Sequence, residues 1–300
     1  MDRIQQWVSE PPPDHLFEIT ENSVAAVSPR LPAQQKQEVL PERGAMASPA
    51  AANLLKPQLY RDALARVAPG PLSKRTAAAL VIPDYAVRMA MIDLEQFPPG
   101  EPERLALLRF RLRKTVPFPI DEAQLAYSVQ LNQPNHIEVL AVAIARPILD
   151  EYEALLTSAG YRVGVVTPSS IAALRLCSGA ERGLTILAKA ASSTLTVLLL
   201  EGGLVRLVRC LDLTVGEGEE PPRDHETVLP VLQQTLAYAE DQIGQPVTRL
   251  LLCGFGTDTE SLGSLAQGEF GISYAPLRSK FGAASQPKAG LLGLLEQYAL

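Results

Sequence analysis

The chain has 300 residues, 47% of them hydrophobic and 20% charged, which is enough apolar surface for a substantial core and too much chain for one small module. It carries 27 basic and 33 acidic residues, a formal charge of −6, and only 5% aromatics; this excludes a non-specific nucleic-acid binder, which needs a basic surplus and stacking rings. Cys177, Cys210 and Cys253 form no CxxC pair and His15, His136 and His225 no HxxxH pattern, so a metal site is not expected and the cysteines read as small buried hydrophobes of a cytoplasmic protein.

Residues 1–13 place Ile4, Trp7 and Val8 at helical spacing ahead of Pro11-Pro12-Pro13, a tail too short to hold as an isolated helix. His15 to Val27 then reads as a β-hairpin around TENS. Residues 28–57 are rich in proline, alanine and glutamine and read as loop, and Asn53 to Ala68 as a helix stopped by Pro69-Gly70-Pro71. Strands are expected at Thr76–Ile82 and Ala86–Leu94, and an amphipathic helix over Pro102–Val116 with Leu105, Leu108 and Leu112 on one stripe. Two strands, Leu125–Leu131 and Ile137–Ala145, flank a polar turn, and the helix Ile148–Ala159 closes on Gly160. A short strand Arg162–Val166 and a helix Ser169–Cys177 complete the first half. The second half repeats the theme: strands Leu184–Leu187 and Leu195–Leu200 around the tip AKAASST, a strand Leu204–Leu213, a loop, a helix Glu226–Ile243 and a strand Arg249–Cys253, then short helices and loops. A hairpin followed by helices and strands, occurring twice, implies two related α/β halves with mixed sheets.

One local string sharpens this order. TVPFPIDEAQLAYSV at 115–129 resembles the IPFPxDE…Y segment of the PilM family, actin-fold proteins of type IV pilus assembly related to the cell-division protein FtsA. ALVIPDYAVRMAMIDL at 79–94 and ILDEYEALLTSAGYRVGVVTPSSIAALR at 148–175 are similar to family segments in the same order. The resemblance implies an actin-like α/β fold of two ribonuclease-H-like halves: residues 14–75 and 146–180 in the first, an inserted subdomain at 76–145, and residues 181–300 in the second. It also implies a cleft for ATP and Mg²⁺ formed by three loops, each of which departs from the family pattern here. In the first loop Glu18 stands for aspartate, Thr20 for glycine and Ala25 for lysine, and Glu21 adds negative charge. In the second, Ala188 to Thr194, the aspartate and glycine are gone. There Lys189, Ser192, Ser193 and Thr194 either serve an anion or are ordinary hairpin-tip polar residues. In the third, Gly254-Phe255-Gly256, a phenylalanine sits where backbone would approach the adenosine. The small lobe that covers the base in the family is reduced here to a loop between Thr214 and Glu226.

These departures point to a pseudo-ATPase with no nucleotide cofactor, the alternative being a working ATPase that uses Glu18 and the hydroxyls at 192–194 with Mg²⁺. The resemblance further implies an adaptor at the inner face of the membrane. It would bind the short cytoplasmic tail of a PilN-like bitopic pilus protein near the insertion, with oligomerisation open. A related type II secretion platform subunit is the other class to weigh. Arg109, Arg111, Arg113 and Lys114 form a basic stripe that faces either a partner or lipid phosphates, or is simply a solvated helix face.

Overall fold

The computed structural model describes residues 12–68, 70, 76–177, 183–213, 225–284 and 288–299. Residues 1–11 of the predicted tail, and residues 214–224 where a reduced lobe was expected, lie outside the described residues.

The first half is a five-stranded mixed sheet. His15–Ile19 (β1), Ser23–Val27 (β2) and Lys36–Val39 (β3) run antiparallel, and Ala77–Ile82 (β4) lies parallel to β1 on its other side. A fifth strand, assigned below, follows at the far edge. β3 falls inside the stretch expected to be loop. Its sequence, KQEV, is polar and mostly exposed at the sheet edge, so no apolar alternation announces it. The helix Pro57–Val67 (α1) starts four residues later than its apolar spacing suggests, because Pro57 is suited to a first helical turn rather than an interior one.

The insertion begins after β4, not at residue 76. Ala77–Ile82 is hydrogen-bonded in the first sheet, whereas Arg88–Leu94 (β5) leaves it to pair with a separate three-stranded sheet. Glu101–Leu112 (α2) covers that sheet through Leu108 and Leu112, and Gln124–Gln133 (β6) and His136–Ile144 (β7) complete it in the order β5-β7-β6. The chain then returns through Arg146–Ser158 (α3). Gly160, at φ +89°, ends this helix in a Schellman turn, with Gly160 N–H donating to Thr157 O (3.0 Å) and Tyr161 N–H to Leu156 O (3.0 Å). Arg162–Pro168 (β8) is the fifth strand, parallel to β4, so the first sheet runs β3-β2-β1-β4-β8. Ser169–Ala173 (α4) follows and tightens into a 3₁₀ turn at Leu174–Cys177.

The second half repeats this order. Leu184–Ala191 (β9), Thr194–Glu201 (β10) and Leu204–Asp212 (β11) are antiparallel, His225–Tyr238 (α5) ends in a π turn, and Val247–Cys253 (β12) lies parallel to β9. The predicted hairpin tip AKAASST shrinks to Ser192-Ser193, since Ala188 to Ala191 continue β9. The C-terminal segment is more regular than its sequence pattern implies. Thr259–Phe270 (α6) leads to Ser273–Pro276 (β13) beside β12, then a two-residue ladder of Arg278–Ser279 (β14) and Gly282–Ala283 (β15), and Ala289–Tyr298 (α7). The second sheet is β11-β10-β9-β12-β13, strand for strand the order of the first.

α7 is apolar on nearly all sides because it is buried between elements, and an all-round apolar helix shows no amphipathic period. Although it falls in the span expected for the second half, it packs on the first. A side chain at Gly290 would meet Val81 Cγ1 at 2.5 Å and one at Gly293 would meet Ala172 O at 2.0 Å. The central core joins both halves, with Leu16, Val81, Leu187, Leu198 and Leu291 in one apolar cluster. The insertion is fastened to the second half as well: Arg206 of β11 donates from Nε and Nη2 to both oxygens of Glu138 on β7, each at 2.8 Å.

Candidate functional site

Two hairpin tips, one from each half, meet at a shared cleft. β1 and β9 both deliver a charged side chain to it, and both are buried on each face, so these charges need partners. In β9 the alternation is clear: Ile186, Ala188 and Ala190 face the outer core of the second half, while Leu187 and Lys189 face the first half. Lys189, 2% exposed, donates from Nζ to Asp84 Oδ2 at 3.0 Å. Asp84 stands just after Pro83, which ends β4 and starts a single 3₁₀ turn. Its Oδ2 also accepts the Thr196 hydroxyl (3.0 Å), and its Oδ1 accepts Ser170 N–H (2.7 Å). Thr196 is the cross-strand partner of Lys189. One buried carboxylate therefore ties together the ends of β4 and β8 and the β9–β10 hairpin. Burial is the largest single influence on the Lys189 ammonium and works against it, but Asp84, Cys253 and Glu18 around it together outweigh burial and leave its pKa above the ordinary lysine value.

Glu18 is equally committed. Ser169 Oγ–H donates to its Oε1 at 2.6 Å and Leu291 N–H, in the first turn of α7, to its Oε2 at 2.7 Å. Burial raises its pKa, opposed by Lys189 and these two hydrogen bonds. The third carboxylate, Glu21, accepts Ala47 N–H (2.8 Å) on one oxygen and is ion-paired to Arg43 through the other. Arg43 continues across the cleft to Ser193 Oγ at 3.3 Å. The loop bearing Arg43 is held there by Gly44 N–H on Glu21 O (3.0 Å).

The structure brings Glu18, Thr20, Ser192 and Thr194 to one cavity, together with Glu21, Asp84, Ser169 and Lys189; its volume is about 20 Å³. Thr20 belongs to the β1–β2 turn, 2.7 Å from Ser23 Oγ, and its carbonyl accepts the Tyr60 hydroxyl at 2.7 Å. Ser192 takes the left-handed φ of +48° that suits a two-residue hairpin. Gly254 and Gly256 do not line the cavity. Gly254 has φ +84° and lies where a Cβ would be 2.0 Å from Ala190 O, so it serves strand packing. Phe255 points into the core of the second half, 3% exposed, and not toward a ligand. Lys189, read from the sequence as a tip residue, is a strand residue facing inward. Its ammonium is ion-paired to Asp84 of the same chain.

The room and the donors around this cavity can be set against what ATP and Mg²⁺ require. Ligand pockets span roughly 300–1,000 Å³, and about 20 Å³ is close to the room one water needs. Magnesium takes carboxylate oxygens, yet Glu18, Glu21 and Asp84 each already hold donors of the chain's own. Sequence reasoning missed Asp84 and Arg43. Their signal was indirect: a lysine inside the otherwise apolar run 186–191 requires a buried carboxylate somewhere.

Burial pushes the thiols of Cys177, Cys210 and Cys253 up to about 12. The basic stripe lies away from the cleft on α2 and just beyond it. Arg113 bonds both oxygens of Asp121 (3.1 and 2.9 Å).

A second concavity, about 450 Å³, lies between the insertion and the first sheet. Gln124 and Ala126 of β6 form one wall and Gly164, Val165 and Val166 of β8 the other, over a floor that includes Ile82, Val87 and Leu149. Both β6 and β8 are the outer strands of their sheets. Arg146, paired with Asp150 at 2.9 Å, and Glu153 rim it.

Two mixed sheets of one strand order, joined across a cleft and carrying a three-stranded insertion, define an actin-like α/β protein. No protein-family model matches the chain, and no curated protein sequence does. Solved structures do. A PilM–PilN type IV pilus biogenesis complex is similar with a TM-score of 0.70 at 18% identity, over 97% of this chain and 100% of that one. A Bacteroides thetaiotaomicron protein with an actin-like ATPase fold and unknown function gives 0.54 at 13% identity, over 94% and 95%. The cytoplasmic domain of EpsL, an inner-membrane component of the type II secretion system of Vibrio cholerae, gives 0.48 at 12%, over 95% and 93%. The likeness to PilM expected from the PFPIDE segment is thus met at the level of fold. No helix among the described residues is long and apolar enough to cross a membrane.

Proposed function

We propose that the chain is a non-catalytic, actin-fold adaptor of type IV pilus or related envelope machinery, working at the cytoplasmic face of the inner membrane. The observation that carries the non-catalytic part is the Asp84–Lys189 pair, which fills the cleft with the protein's own cation and anion. Phosphoryl transfer depends on positioning and on charge neutralisation by metal and basic groups. Here the lysine neutralises an aspartate of the same chain, and each carboxylate of the cavity already accepts from the chain's own donors. The chain is accordingly a pseudo-ATPase without a nucleotide cofactor.

The partner is the short cytoplasmic tail of a bitopic inner-membrane protein, bound as an extended segment in the groove between β6 and β8. Two features favour an extended segment. The groove is walled by outer strands, whose free edges accept an added strand, and its lining alternates apolar side chains with open backbone at Gly164. The neighbour of similar fold is itself a PilM–PilN complex, which supports a PilN-like partner.

Calorimetric titration with Mg-ATP tests the cleft. The expected result is no saturable heat at millimolar nucleotide, and saturable binding would overturn the reading. Its next step would then be substitution of Glu18, Ser192 and Thr194.

A further inference from the structure

We infer that the C-terminal half of α2 is a contact surface for anionic lipid, centred on Phe110. Leu108 and Leu112 point to the insertion sheet and are buried. At 100° per residue, Phe110 then faces directly away from that sheet, and it is 71% exposed, the most exposed large apolar side chain among the described residues. Leu107 at i−3 and Arg113 at i+3 are its helical neighbours; Arg111 stands about 100° round the helix from it, and Lys114 follows just past the helix end. Arg111 and Lys114 are exposed, and Arg109 keeps a buried Nε without a hydrogen-bond partner.

Charge singles out this surface. The whole chain carries −6, but residues 104–118 hold five basic residues and no acidic one. Among the described residues, Arg113 alone of the four cations at 109–114 is ion-paired, to Asp121. Glu101 and Glu103 sit at the opposite end of α2, where the helix dipole favours them. The dipole likewise accounts for cations in the last turn. It does not account for a phenylalanine standing out among them.

A protruding ring flanked by cations suits a bilayer interface better than a protein partner. The ring stands on a convex helix surface, whereas peptide ligands seek grooves and strand edges. Aromatic rings settle at the headgroup level, and each nearby Lys or Arg strengthens attachment to an anionic surface about fivefold. This inference rests on the adaptor's place at the membrane proposed above and supplies the face it presents. It is tested separately, since vesicles probe α2 and nucleotide probes the cleft.

The experiment is co-sedimentation of the full chain with vesicles of phosphatidylcholine mixed with phosphatidylglycerol, and with phosphatidylcholine alone. Binding is expected to the mixed vesicles only and to fall as salt is raised. Phe110→Ala should weaken it about tenfold, and the double variant Arg111→Glu, Lys114→Glu at least about 25-fold. Neither change should move the melting temperature, because these side chains are exposed. Absence of binding to the mixed vesicles would overturn the inference. So would binding that survives both variants, or polyglutamate binding as tight as vesicle binding, which would assign the surface to an acidic protein partner.

Discussion

The cleft and the groove share walls yet are opposite in character. Ile82 lines the groove and Pro83 and Asp84 the cleft; Pro168 lines the groove and Ser169 the cleft. From one residue to the next at the ends of β4 and β8, the chain passes from an open groove of about 450 Å³ to a cavity of about 20 Å³ lined by the buried charges Glu18, Glu21, Asp84 and Lys189. In the cleft each charge is answered by another part of the same chain. In the groove, outer strands and half-buried valines are left for something else to cover. Charges already paired within the chain gain less from a charged ligand than unpaired ones would, whereas the groove has apolar area and backbone groups still to bury.

The largest expected effect comes from breaking the cleft's central pair. Lys189→Met leaves Asp84 buried and unpaired and should cost about 3–5 kcal/mol in denaturant unfolding. Adding Asp84→Asn removes the stranded charge while keeping an acceptor for Ser170 N–H, so the double variant should recover most of that loss. If the single and double variants are equally unstable, the pair is not what ties the halves. The pH dependence has a definite sign. Because the folded Lys189 pKa lies above its unfolded value near 10.5, the pair's contribution is complete below pH 10.5 and is lost as pH rises through the folded value. The wild type should therefore lose more stability than the double variant on going to strongly alkaline pH.

A smaller effect tests whether the third loop is packing or ligand surface. Gly254→Ala forces a side chain into left-handed backbone and against Ala190 O, which should cost more than about 1 kcal/mol without any nucleotide present. Unchanged stability would mean that the glycine was kept for a ligand, and would reopen the cleft as a site.

How much of this was legible follows from the same contrast. The hairpins, α3 with its Gly160 stop and the duplicated order of elements could be read directly, because each has its own local pattern. The departures from the pattern that the resemblance implies were readable one residue at a time: Thr20 for glycine, Ala188 to Ala191 in place of an aspartate-glycine turn. What replaced them was not visible, because Asp84 and Lys189 are 105 residues apart and only the fold brings them together. The reading of Lys189 as a tip residue failed for a local reason. Alanine and serine favour neither strand nor turn strongly, so the end of β9 could not be fixed from sequence. β3 stayed hidden because an exposed edge strand carries no apolar alternation, and α7 because burial on all sides erased its period.

The smallest change in stability should be the most informative about the groove. Ala126 is exposed on β6, so Ala126→Glu should shift unfolding by no more than about 0.5 kcal/mol. It nevertheless places a charge on the wall that the proposed tail would cover. The ligand to use is a synthetic peptide of the cytoplasmic tail of a bitopic membrane protein encoded beside this chain. The wild type should bind it saturably and Ala126→Glu at least about tenfold more weakly, since an unpaired charge in an apolar contact costs well over 1.4 kcal/mol. Equal binding by both would remove the groove as the docking surface. Lys189→Met supplies the converse. It does not touch the groove, but it frees the turn that carries Pro83 and the α4 start at Ser169 and Ser170. Its effect on peptide affinity therefore measures whether the closed cleft is needed to hold the groove's walls in place.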